Sequence, residues 1–314
     1  MAMEYRVFID GSAGTTGLKI YERFQNRPEI RLITLPEARR KDLEARRAAA
    51  AEADISFLCL PDEASRELCA ALPPGTRVLD TSTAHRTAPG WVYGLPELSE
   101  AQRAAVAGAE RVAVPGCHAT GFVVLAAPLV ALGIAGADYP FTAWSVTGYS
   151  GGGKKMIAAY EAPDRPAAYA SPRQYGLGQT HKHLPEMQQA AGLAAPPVFS
   201  PIVADYFSGM VVSVPLHRRL LAKDWGPGEI AAALADYYGG QRFVRVHPWG
   251  GAPAGGFLDA LRLAGTNRLE VFVCGNDERM VLSARFDNLG KGASGAAVQC
   301  MNLMLGLPEE TGLE

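Results

Sequence analysis

The chain has 314 residues, a formal net charge of −2 and a hydrophobic fraction of 48%. This length can bury a large core and usually divides into two domains. The lysines and arginines form no long basic run, which argues against a nucleic-acid surface and against an anionic-membrane surface. No apolar run reaches the roughly 18–20 residues that a membrane-spanning helix needs. The start of the chain has no signal-peptide pattern, so we expect a cytoplasmic protein.

Strands and helices alternate along the first third of the chain. A predicted strand over Tyr5–Ile9 leads into a glycine-rich turn over Gly11–Gly17 and then into a helix over Leu18–Asn26. A second strand, a charged helix over residues 37–52 and two further strands, in "DISFLCLP" and "RVLDTST", follow in order. This alternation predicts an α/β fold with a parallel sheet and helices on its faces, as in a Rossmann-like dinucleotide-binding domain.

The turn "DGSAGTTG" spaces three glycines at intervals of three residues, between the first strand and the first helix. Glycines there let the backbone approach a diphosphate, and the helix N-terminus supplies N–H groups. An ordinary tight turn is the alternative. The cofactor contacts predicted for this turn are Gly11, Ser12, Gly14, Thr15, Thr16 and Gly17. Arg39 and Arg40 follow the second strand and could hold a 2′-phosphate, which favours NADP over NAD.

The alternation of short strands and helices ends at about residue 117. Longer loops rich in Gly, Pro, Ser and Tyr occur, and "GMVVSVPLHRRLL" and "RLEVFVCG" have the composition of strands in a more antiparallel sheet. We therefore predict an NADP-binding domain over residues 1–116. Residues 117–290 are predicted to form an α+β domain with a mixed, largely antiparallel sheet.

One cysteine differs from the other four. Cys117 follows Pro115 and Gly116 in "VPGCHATG" and precedes an apolar helical segment, whereas the others lie in apolar contexts. A thiol at a helix N-terminus has a lowered pKa, and a nearby imidazolium lowers it further. Cys117 is therefore either a reactive nucleophile or a buried helix-cap cysteine. The five cysteines are widely spaced and form no zinc-ligand pattern, so no metal is expected.

Two histidines in "QTHKHLPEM" are candidates for a proton partner of the thiol. His181 and His183 lie two residues apart, so on an extended segment both side chains would point to one face. Pro185 and Glu186 suit the first turn of a helix. A metal pair would need a third ligand at a matching spacing, which the segment lacks. A general acid/base role and a place in a solvated loop remain the two alternatives.

Two further segments are rich in glycine and small residues. In "SVTGYSGGGKK", flexible backbone amides together with Ser150 and two lysines would suit an anion such as a phosphate leaving group. A plain flexible loop is the alternative. In "KGASGAAVQCMN", Gly292 and Gly295 would let the backbone pack near a cofactor, or would allow close helix–sheet packing. A last helix is predicted over Gly295–Leu305.

These motifs occur in the order seen in one enzyme family. "PGCHATG", "THKHLPEM", "SVTGYSGGG" and "KGASGAAVQCMN" resemble the N-acetyl-γ-glutamyl-phosphate reductases, relatives of the aspartate-semialdehyde dehydrogenases. The resemblance implies that Cys117 is the nucleophile and that His181 is the acid/base. The substrate contacts that we expect are His183, Glu186, Ser150, Gly151 and Arg86. The resemblance also implies cofactor contacts at Gln299 and Asn302, so that the segment over residues 291–314 returns to the NADP-binding domain. It makes residues 117–290 the catalytic and oligomerisation domain. The family commonly carries tyrosine after the cysteine, where this chain has His118.

The function implied by the resemblance is NADPH-dependent reduction of N-acetyl-γ-glutamyl phosphate through a cysteine thioester, by a homodimer or homotetramer. Aspartate-semialdehyde dehydrogenase is one alternative, and the "HKHLPEM" motif argues against it. A reductase of carrier-protein-linked glutamyl phosphate would use the same chemistry and stays open. A non-catalytic NADP-binding regulator is the third alternative, although it would not need a thiol at a helix start.

Overall fold

The computed structural model describes residues 4–251 and 253–314, which form two compact units. Unit 1 holds the described residues up to Pro115 together with Ala293–Glu314, and unit 2 spans Gly116–Gly292. No helix within these described ranges has both the length and the apolar character needed to cross a membrane.

Unit 1 is built on a six-stranded sheet in which every pairing is parallel, with the strand order β2-β1-β3-β4-β6-β5. The strands are β1 (Tyr5–Asp10), β2 (Ile30–Ile33), β3 (Ile55–Leu58), β4 (Val78–Asp80), β5 (Val92–Tyr93) and β6 (Arg111–Ala113). The helices are α1 (Thr15–Phe24), α2 (Leu43–Glu52), α3 (Asp62–Ala71), α4 (Glu100–Gly108) and α9 (Gly295–Met304). The central strand β3 is buried along its whole length, as expected for a parallel sheet covered on both faces.

Two helices of unit 1 begin elsewhere than the sequence pattern predicts. Helix α1 begins at Thr15 rather than Leu18, because the Gly14 carbonyl already accepts the Leu18 N–H at 2.8 Å. The predicted helix over residues 37–52 is a short 3-10 turn, Glu37–Arg39, followed by α2. Helix α2 begins at Leu43 because the Asp42 side chain accepts the Ala45 N–H at 2.6 Å and caps it.

Unit 2 contains a seven-stranded sheet with the strand order β11-β12-β13-β10-β7-β9-β8. The strands are β7 (Thr142–Gly148), β8 (Arg173–Gln174), β9 (Val198–Ala204), β10 (Met210–His217), β11 (Val244–Val246), β12 (Leu269–Gly275) and β13 (Arg279–Phe286). The helices are α5 (Cys117–Ala131), α6 (Gly153–Glu161), α7 (Leu184–Ala191) and α8 (Pro227–Tyr237). Four pairings are antiparallel and two are parallel, so the predicted fold class, with its mixed and largely antiparallel second sheet, is confirmed.

Helix α5 lies against the middle of this sheet and is buried over most of its length. Gly121 contacts Val212 of β10 and Phe286 of β13. Pro128 within the helix has no N–H, so the Val124 carbonyl one turn earlier loses its usual helical partner. The Tyr238 hydroxyl at the end of α8 donates to that carbonyl at 2.7 Å and satisfies it. The apolar helix therefore remains continuous, and its first residue is held at one end of the sheet.

Candidate active site

Cys117 is the first residue of α5 and is half-exposed. The chain leaves β6 at Ala113 and turns at Pro115 and Gly116, and Gly116 is the extended N-cap residue (φ −77°, ψ 148°). No side chain caps the helix at Gly116. The first turn of a helix carries a partial positive charge, which stabilises a thiolate. Cys117 therefore occupies the position that the sequence predicts for a reactive thiol.

Glu186 fixes the start of α5 from a neighbouring helix. Its Oε2 atom accepts the Gly116 N–H at 3.1 Å, and its side chain is buried, with 2% of the residue exposed. Glu186 lies in the first turn of α7, which begins at Leu184 with Pro185 next, as the sequence predicts. This carboxylate therefore holds the backbone immediately before Cys117, and its predicted place at the substrate site stays a prediction.

The two histidines lie side by side, although not for the predicted reason. The segment is not extended, since His183 has helical backbone angles (φ −87°, ψ −9°) and is the N-cap of α7. The His183 N–H donates to His181 Nδ1 at 3.2 Å, and the two rings meet edge to face with centroids 4.7 Å apart. In neutral His181 this bond leaves the proton on Nε2. The His181 ring is half-exposed, whereas His183 is buried with Nε2 3.9 Å from Glu186 Oε1.

His118 is buried at the centre of this cluster. Its Nδ1 atom lies 2.8 Å from the Ser145 hydroxyl and its Nε2 atom lies 2.7 Å from the Tyr175 hydroxyl. Its ring centroid is 5.4 Å from that of His181 and 5.5 Å from that of His183. Burial lowers the pKa of His118 to about 3, and the charge of His181 acts in the same direction. His118 is therefore neutral and does not provide an imidazolium beside the thiol.

Gly292 brings a second backbone segment against the cysteine. It lies in a π-helical turn, Gly290–Ser294, and a Cβ atom at this position would lie 2.8 Å from the Cys117 Cβ. Any side chain there would displace either the turn or the thiol. The sequence predicts close backbone packing at this glycine, either near a cofactor or between helix and sheet, and the structure shows close packing against Cys117.

The glycine-rich segment after β7 is regular rather than flexible. Strand β7 continues to Gly148, a 3-10 turn covers Tyr149–Gly152, and α6 begins at Gly153. The Ser150 N–H donates to the Phe207 carbonyl at 3.0 Å, and its hydroxyl accepts from Asn288 Nδ2 at 3.0 Å. Ser150 is buried and holds this turn in place, and its predicted contact with a substrate anion stays a prediction. Gly151 is exposed, and its substrate contact stays a prediction.

Unit 1 has a cavity of about 480 Å³ at the carboxyl end of β1. Gly11, Ser12 and Ala13 of the predicted turn line it, together with Arg40. Gly11 has φ +80°, a backbone conformation that favours glycine. The Thr15 Oγ1 atom is buried and has no hydrogen-bond partner within the described residues. The first turn of α1 also presents N–H groups that have no partner inside the helix. This arrangement fits the diphosphate of a dinucleotide.

Asp10, Arg39 and Arg40 lie in or near this cavity, and each forms an ion pair. Asp10 is buried and accepts from Arg46 Nε at 2.7 Å, while burial raises the pKa of its carboxyl. Arg40 lines the cavity and forms an exposed ion pair with Glu37 at 2.6 Å. Arg39 does not line it and pairs with Asp42 at 3.7 Å. Of the two predicted arginines, the structure therefore brings only Arg40 to the cavity.

The two C-terminal amides for which cofactor contacts are predicted lie in the core of unit 1. Gln299 is fully buried, and its Nε2 atom donates to Glu97 Oε1 at 2.7 Å. Asn302 is also fully buried; its Oδ1 accepts from Arg27 at 2.9 Å and its Nδ2 donates to the Thr311 carbonyl at 2.9 Å. Their polar atoms hold segments of unit 1 together, and the cofactor contacts predicted for them stay predictions.

Arg86, the predicted carboxylate ligand, lies in unit 1 and is half-buried. Its Nε atom donates to the Val114 carbonyl at 2.9 Å and its Nη2 atom donates to the Thr81 carbonyl at 3.0 Å. These bonds tie Arg86 to the chain three residues before Cys117. A substrate contact by Arg86 stays a prediction. No group of three or more His, Cys, Asp or Glu side chains within the described ranges could hold a metal ion.

Comparison with known proteins agrees with this arrangement. A family model described as the NAD binding domain of semialdehyde dehydrogenase matches residues 6–106, and one described as its dimerisation domain matches residues 117–288. N-acetyl-gamma-glutamyl-phosphate reductase 2 of a Nostoc species is 46% identical over 98% of this chain and 99% of its own. The enzyme of the same name from Pseudomonas putida is 50% identical over 96% of each chain. The chain belongs to the N-acetyl-γ-glutamyl-phosphate reductase family. The family predicted from the sequence motifs is confirmed.

Solved structures show the same fold at much lower identity. Aspartate semialdehyde dehydrogenase II from Vibrio cholerae superposes with a TM-score of 0.71 at 16% identity, covering 97% of this chain and 99% of its own. Aspartate semialdehyde dehydrogenase from Francisella tularensis has a TM-score of 0.71 at 12% identity, over 96% of this chain and 100% of its own. This likeness concerns the fold alone.

Replacing His118 with phenylalanine should flatten the pH dependence of stability between about pH 4 and pH 6. The folded-state pKa of about 3 lies below the ordinary value of 6.5, so in this window only the unfolded chain binds a proton at His118. Stability from this group is present above pH 6.5 and is lost as the pH falls. The slope reaches about 1.4 kcal/mol per pH unit. Urea unfolding of both proteins at several pH values measures it.

The control is His217→Phe, which removes an exposed imidazole at the end of β10. It should leave the slope as in the wild type. Parallel curves for the wild type and His118→Phe would contradict a neutral, buried His118.

Proposed function

We propose that this protein reduces N-acetyl-γ-glutamyl phosphate to N-acetylglutamate semialdehyde and phosphate, with NADPH as the reductant. The observation that carries the proposal is Cys117 at the start of α5, anchored by Glu186 and adjacent to the histidine cluster. The relatives named as reductases of this acyl phosphate are 46–50% identical over nearly the whole chain, which supports the same substrate.

The first step that we propose is covalent. The Cys117 thiolate attacks the γ-carbonyl carbon of the acyl phosphate, the bond from that carbon to the phosphate oxygen breaks, and phosphate leaves with its electron pair. The product is a thioester on Cys117. Backbone N–H groups in the first turn of α5 would stabilise the oxyanion that forms on the carbonyl. The bond between Gly116 and Glu186 keeps this turn in place during the reaction.

The second step needs a hydride and a proton. NADPH, when bound, supplies the hydride, and the residues that would hold it are Gly11, Ser12, Thr15 and Arg40 in unit 1. In unit 2, His181 would hold a proton on Nε2, because its Nδ1 accepts the His183 N–H. We assign His181 Nε2–H the task of donating to the alkoxide and recovering the proton as the aldehyde carbonyl forms and the Cys117 thiolate leaves.

Replacing Cys117 with serine should abolish reduction while sparing NADPH binding. A serine hydroxyl stays protonated at neutral pH and is a much weaker nucleophile than a thiolate. The loss in kcat should therefore exceed about a thousandfold. The assay follows NADP reduction in the reverse direction with N-acetylglutamate semialdehyde and phosphate, beside aspartate semialdehyde, and NADPH binding is followed by fluorescence. Cys274→Ser, at a half-buried thiol on β12, is the matched control and should keep activity. Full turnover by Cys117→Ser, or a preference for aspartate semialdehyde, would contradict the proposal.

The same assay distinguishes the two histidines. His181→Asn should lower kcat by about a hundredfold or more, because it removes the proton at Nε2. His183→Asn should have the smaller effect, since the His183 ring is buried and its backbone N–H is retained. A far larger loss with His183→Asn would reverse the assignment.

NADP is proposed as the cofactor in preference to NAD because Arg40 lines the unit 1 cavity and can pair with a 2′-phosphate. The one acid that lines the cavity, Asp10, is already paired with Arg46 and is poorly placed to bind a ribose hydroxyl.

Arg40→Ala should raise the KM for NADPH by about tenfold, the effect expected for the loss of one charge-assisted phosphate contact. The KM for NADH should change little, because NADH has no 2′-phosphate. Arg39→Ala is the matched control, since Arg39 does not line the cavity. Steady-state kinetics with both cofactors decides the matter: an equal effect of Arg40→Ala on NADPH and NADH would argue against a 2′-phosphate contact.

We also propose that the protein is a cytoplasmic homodimer or homotetramer. Helix α5 covers one face of the unit 2 sheet, and the opposite face exposes Trp144 on β7 and Val198 on β9. The match of this unit to a family dimerisation domain supports a second copy of the chain as the partner that covers this face. Five free thiols and no disulfide among them accord with a reducing compartment.

Trp144→Glu should reduce the oligomer to smaller species in sedimentation velocity experiments, because a charge buried in an apolar interface without a partner is costly. Leu220→Glu, at an exposed apolar residue outside the sheet, is the control and should leave the sedimentation coefficient unchanged. Identical sedimentation of the wild type and Trp144→Glu would rule out this face as the interface.

A further inference from the structure

The loop that carries His181 has a strained backbone two residues earlier, at Gln179. Gln179 has φ +54° and is the one non-glycine residue with a left-handed backbone among residues 4–251 and 253–314. Its N–H donates to the Gly176 carbonyl at 3.1 Å, which closes a turn shortly after β8. Glycine and asparagine adopt this conformation more readily than glutamine does. Such strain persists only where surrounding contacts hold it, and it is concentrated at functional sites.

The Gln179 side chain pairs with the backbone of β9 beyond the end of β8. Its Oε1 atom accepts the Phe199 N–H and its Nε2 atom donates to the Phe199 carbonyl, both at 2.9 Å. Strand β8 pairs with β9 over two residues, and the Tyr175 N–H still reaches the Pro201 carbonyl at 3.0 Å. The polar groups of alternate strand residues point the same way, so those of Phe199 come next along that edge. The side-chain amide of Gln179 therefore continues the ladder in place of a strand.

Phe199, which this pairing holds, also contacts the His181 ring. The two rings meet edge to face, with centroids 5.4 Å apart and an interplanar angle of 79°. His118 meets His181 in the same way, at 5.4 Å and 88°, and His183 does so at 4.7 Å and 84°. Edge-to-face ring pairs at such distances are favourable. Three rings thus fix the plane of the His181 imidazole, and Phe199 is the one whose backbone is bonded to Gln179.

Ring packing alone does not select which nitrogen of His181 carries the proton. A half-turn of the ring about its Cβ–Cγ bond exchanges Nδ1 with Cδ2 and leaves the shape of the ring nearly unchanged. The selecting contact is the His183 N–H, which donates to Nδ1 at 3.2 Å, the long end of the normal range. A small displacement of the His181 backbone would break this bond. The position of the proton therefore depends on how firmly the loop is held.

Burial does not hold the middle of this loop, since residues 177–180 are all exposed. The start of the loop is fixed by the bond from the Tyr175 N–H to β9. Its end is fixed by the Leu184 N–H, which donates to the His181 carbonyl at 3.0 Å. Between these ends, the Gln179 side chain makes two hydrogen bonds that join the exposed stretch to the strand.

We propose that Gln179 is a positioning residue, which clamps the loop to β9 at Phe199 and thereby holds the His181 ring with Nδ1 at the His183 N–H and the proton on Nε2. The proposal rests on the proposed function, in which that proton is donated to the alkoxide. Gln179 acts through His181 and does not touch the reacting atoms. The left-handed turn brings the side-chain amide to Phe199, which accounts for a strained glutamine at a position where glycine would be relaxed.

The test is the tautomer of His181 in the full-length protein without substrate. It is measured by long-range proton–nitrogen correlation NMR with isotope-labelled histidine, at an alkaline pH where an ordinary imidazole is neutral. The signals of His181 are identified by their absence from His181→Asn. The wild type should give two widely separated nitrogen frequencies, with the protonated nitrogen at Nε2. In Gln179→Gly both frequencies should move toward their mean, because the ring then samples both tautomers.

Two further variants separate positioning from stability. Gln179→Asn keeps an amide and tolerates the left-handed backbone, but it is one methylene shorter and should behave as Gln179→Gly does. Gln174→Ala removes an exposed glutamine from β8 and should leave the His181 signals as in the wild type. Both Gln179 variants relieve backbone strain, which offsets the loss of the two hydrogen bonds, so their urea midpoints should stay close to that of the wild type. A role confined to stability would lower the midpoint and leave the tautomer unchanged.

In the reductase assay, Gln179→Gly should lower kcat by about tenfold, the effect of a displaced proton donor, and leave the KM for NADPH unchanged. Averaged signals already in the wild type, or an unchanged His181 tautomer in both Gln179 variants, would overturn the proposal whatever the activity. Because the NMR measurement needs no substrate, the proposed function can fail separately. A wild type that holds one fixed tautomer and reduces no acyl phosphate would overturn the function alone.

Discussion

The hydrogen bond from the Gly116 N–H to Glu186 is the interaction on which the candidate active site depends. It fixes the first turn of α5, and therefore Cys117, against α7. The same helix α7 begins at His183, whose N–H sets the ring of His181. The start of α7 thus contacts both the backbone before Cys117 and the ring of His181, the proposed proton donor. Since the Glu186 side chain is almost fully buried, loss of this bond would cost more free energy than loss of a bond exposed to water.

The packing around α5 also holds Cys117 in place. Gly292 lets a π-helical turn approach Cys117 from one side, and Tyr238 satisfies the carbonyl that Pro128 leaves without a helical partner. Apolar burial holds the helix, and a few polar contacts fix where it begins. The thiol remains half-exposed at the end of a helix that is otherwise buried. A nucleophile needs such a combination, because it must be accessible while its backbone is held.

Local patterns in the sequence predicted the elements that carry the site. The Pro-Gly-Cys turn, the helix after it and the start of α7 at Leu184–Pro185 follow from residue chemistry within a few positions. The alternation of strands and helices, which is also a local pattern, predicted the parallel sheet of unit 1. Boundaries were less accurate, because single caps such as Asp42 decide them. The fold class and the family could therefore be predicted from the sequence alone.

Contacts between residues that are far apart in the sequence could not be predicted from it. The hydrogen-bond partners of the His118 ring are Ser145, 27 residues away, and Tyr175, 57 residues away. The polar atoms of four further residues are also bonded to partners that no local pattern identifies: Ser150, Glu186, Gln299 and Asn302. Alternation along β7 does place Ser145 on the opposite face from exposed Trp144, and this was the one available signal for an inward hydroxyl.

The central claim is that Cys117 forms a covalent acyl intermediate. The most direct measurement is rapid acid quenching of the protein mixed with N-acetyl-γ-glutamyl phosphate in the absence of NADPH, followed by peptide mass spectrometry. The account predicts one N-acetylglutamyl group on the Cys117 peptide, released as the semialdehyde when NADPH is added before the quench. An unmodified Cys117 in a protein that still reduces the substrate would contradict it.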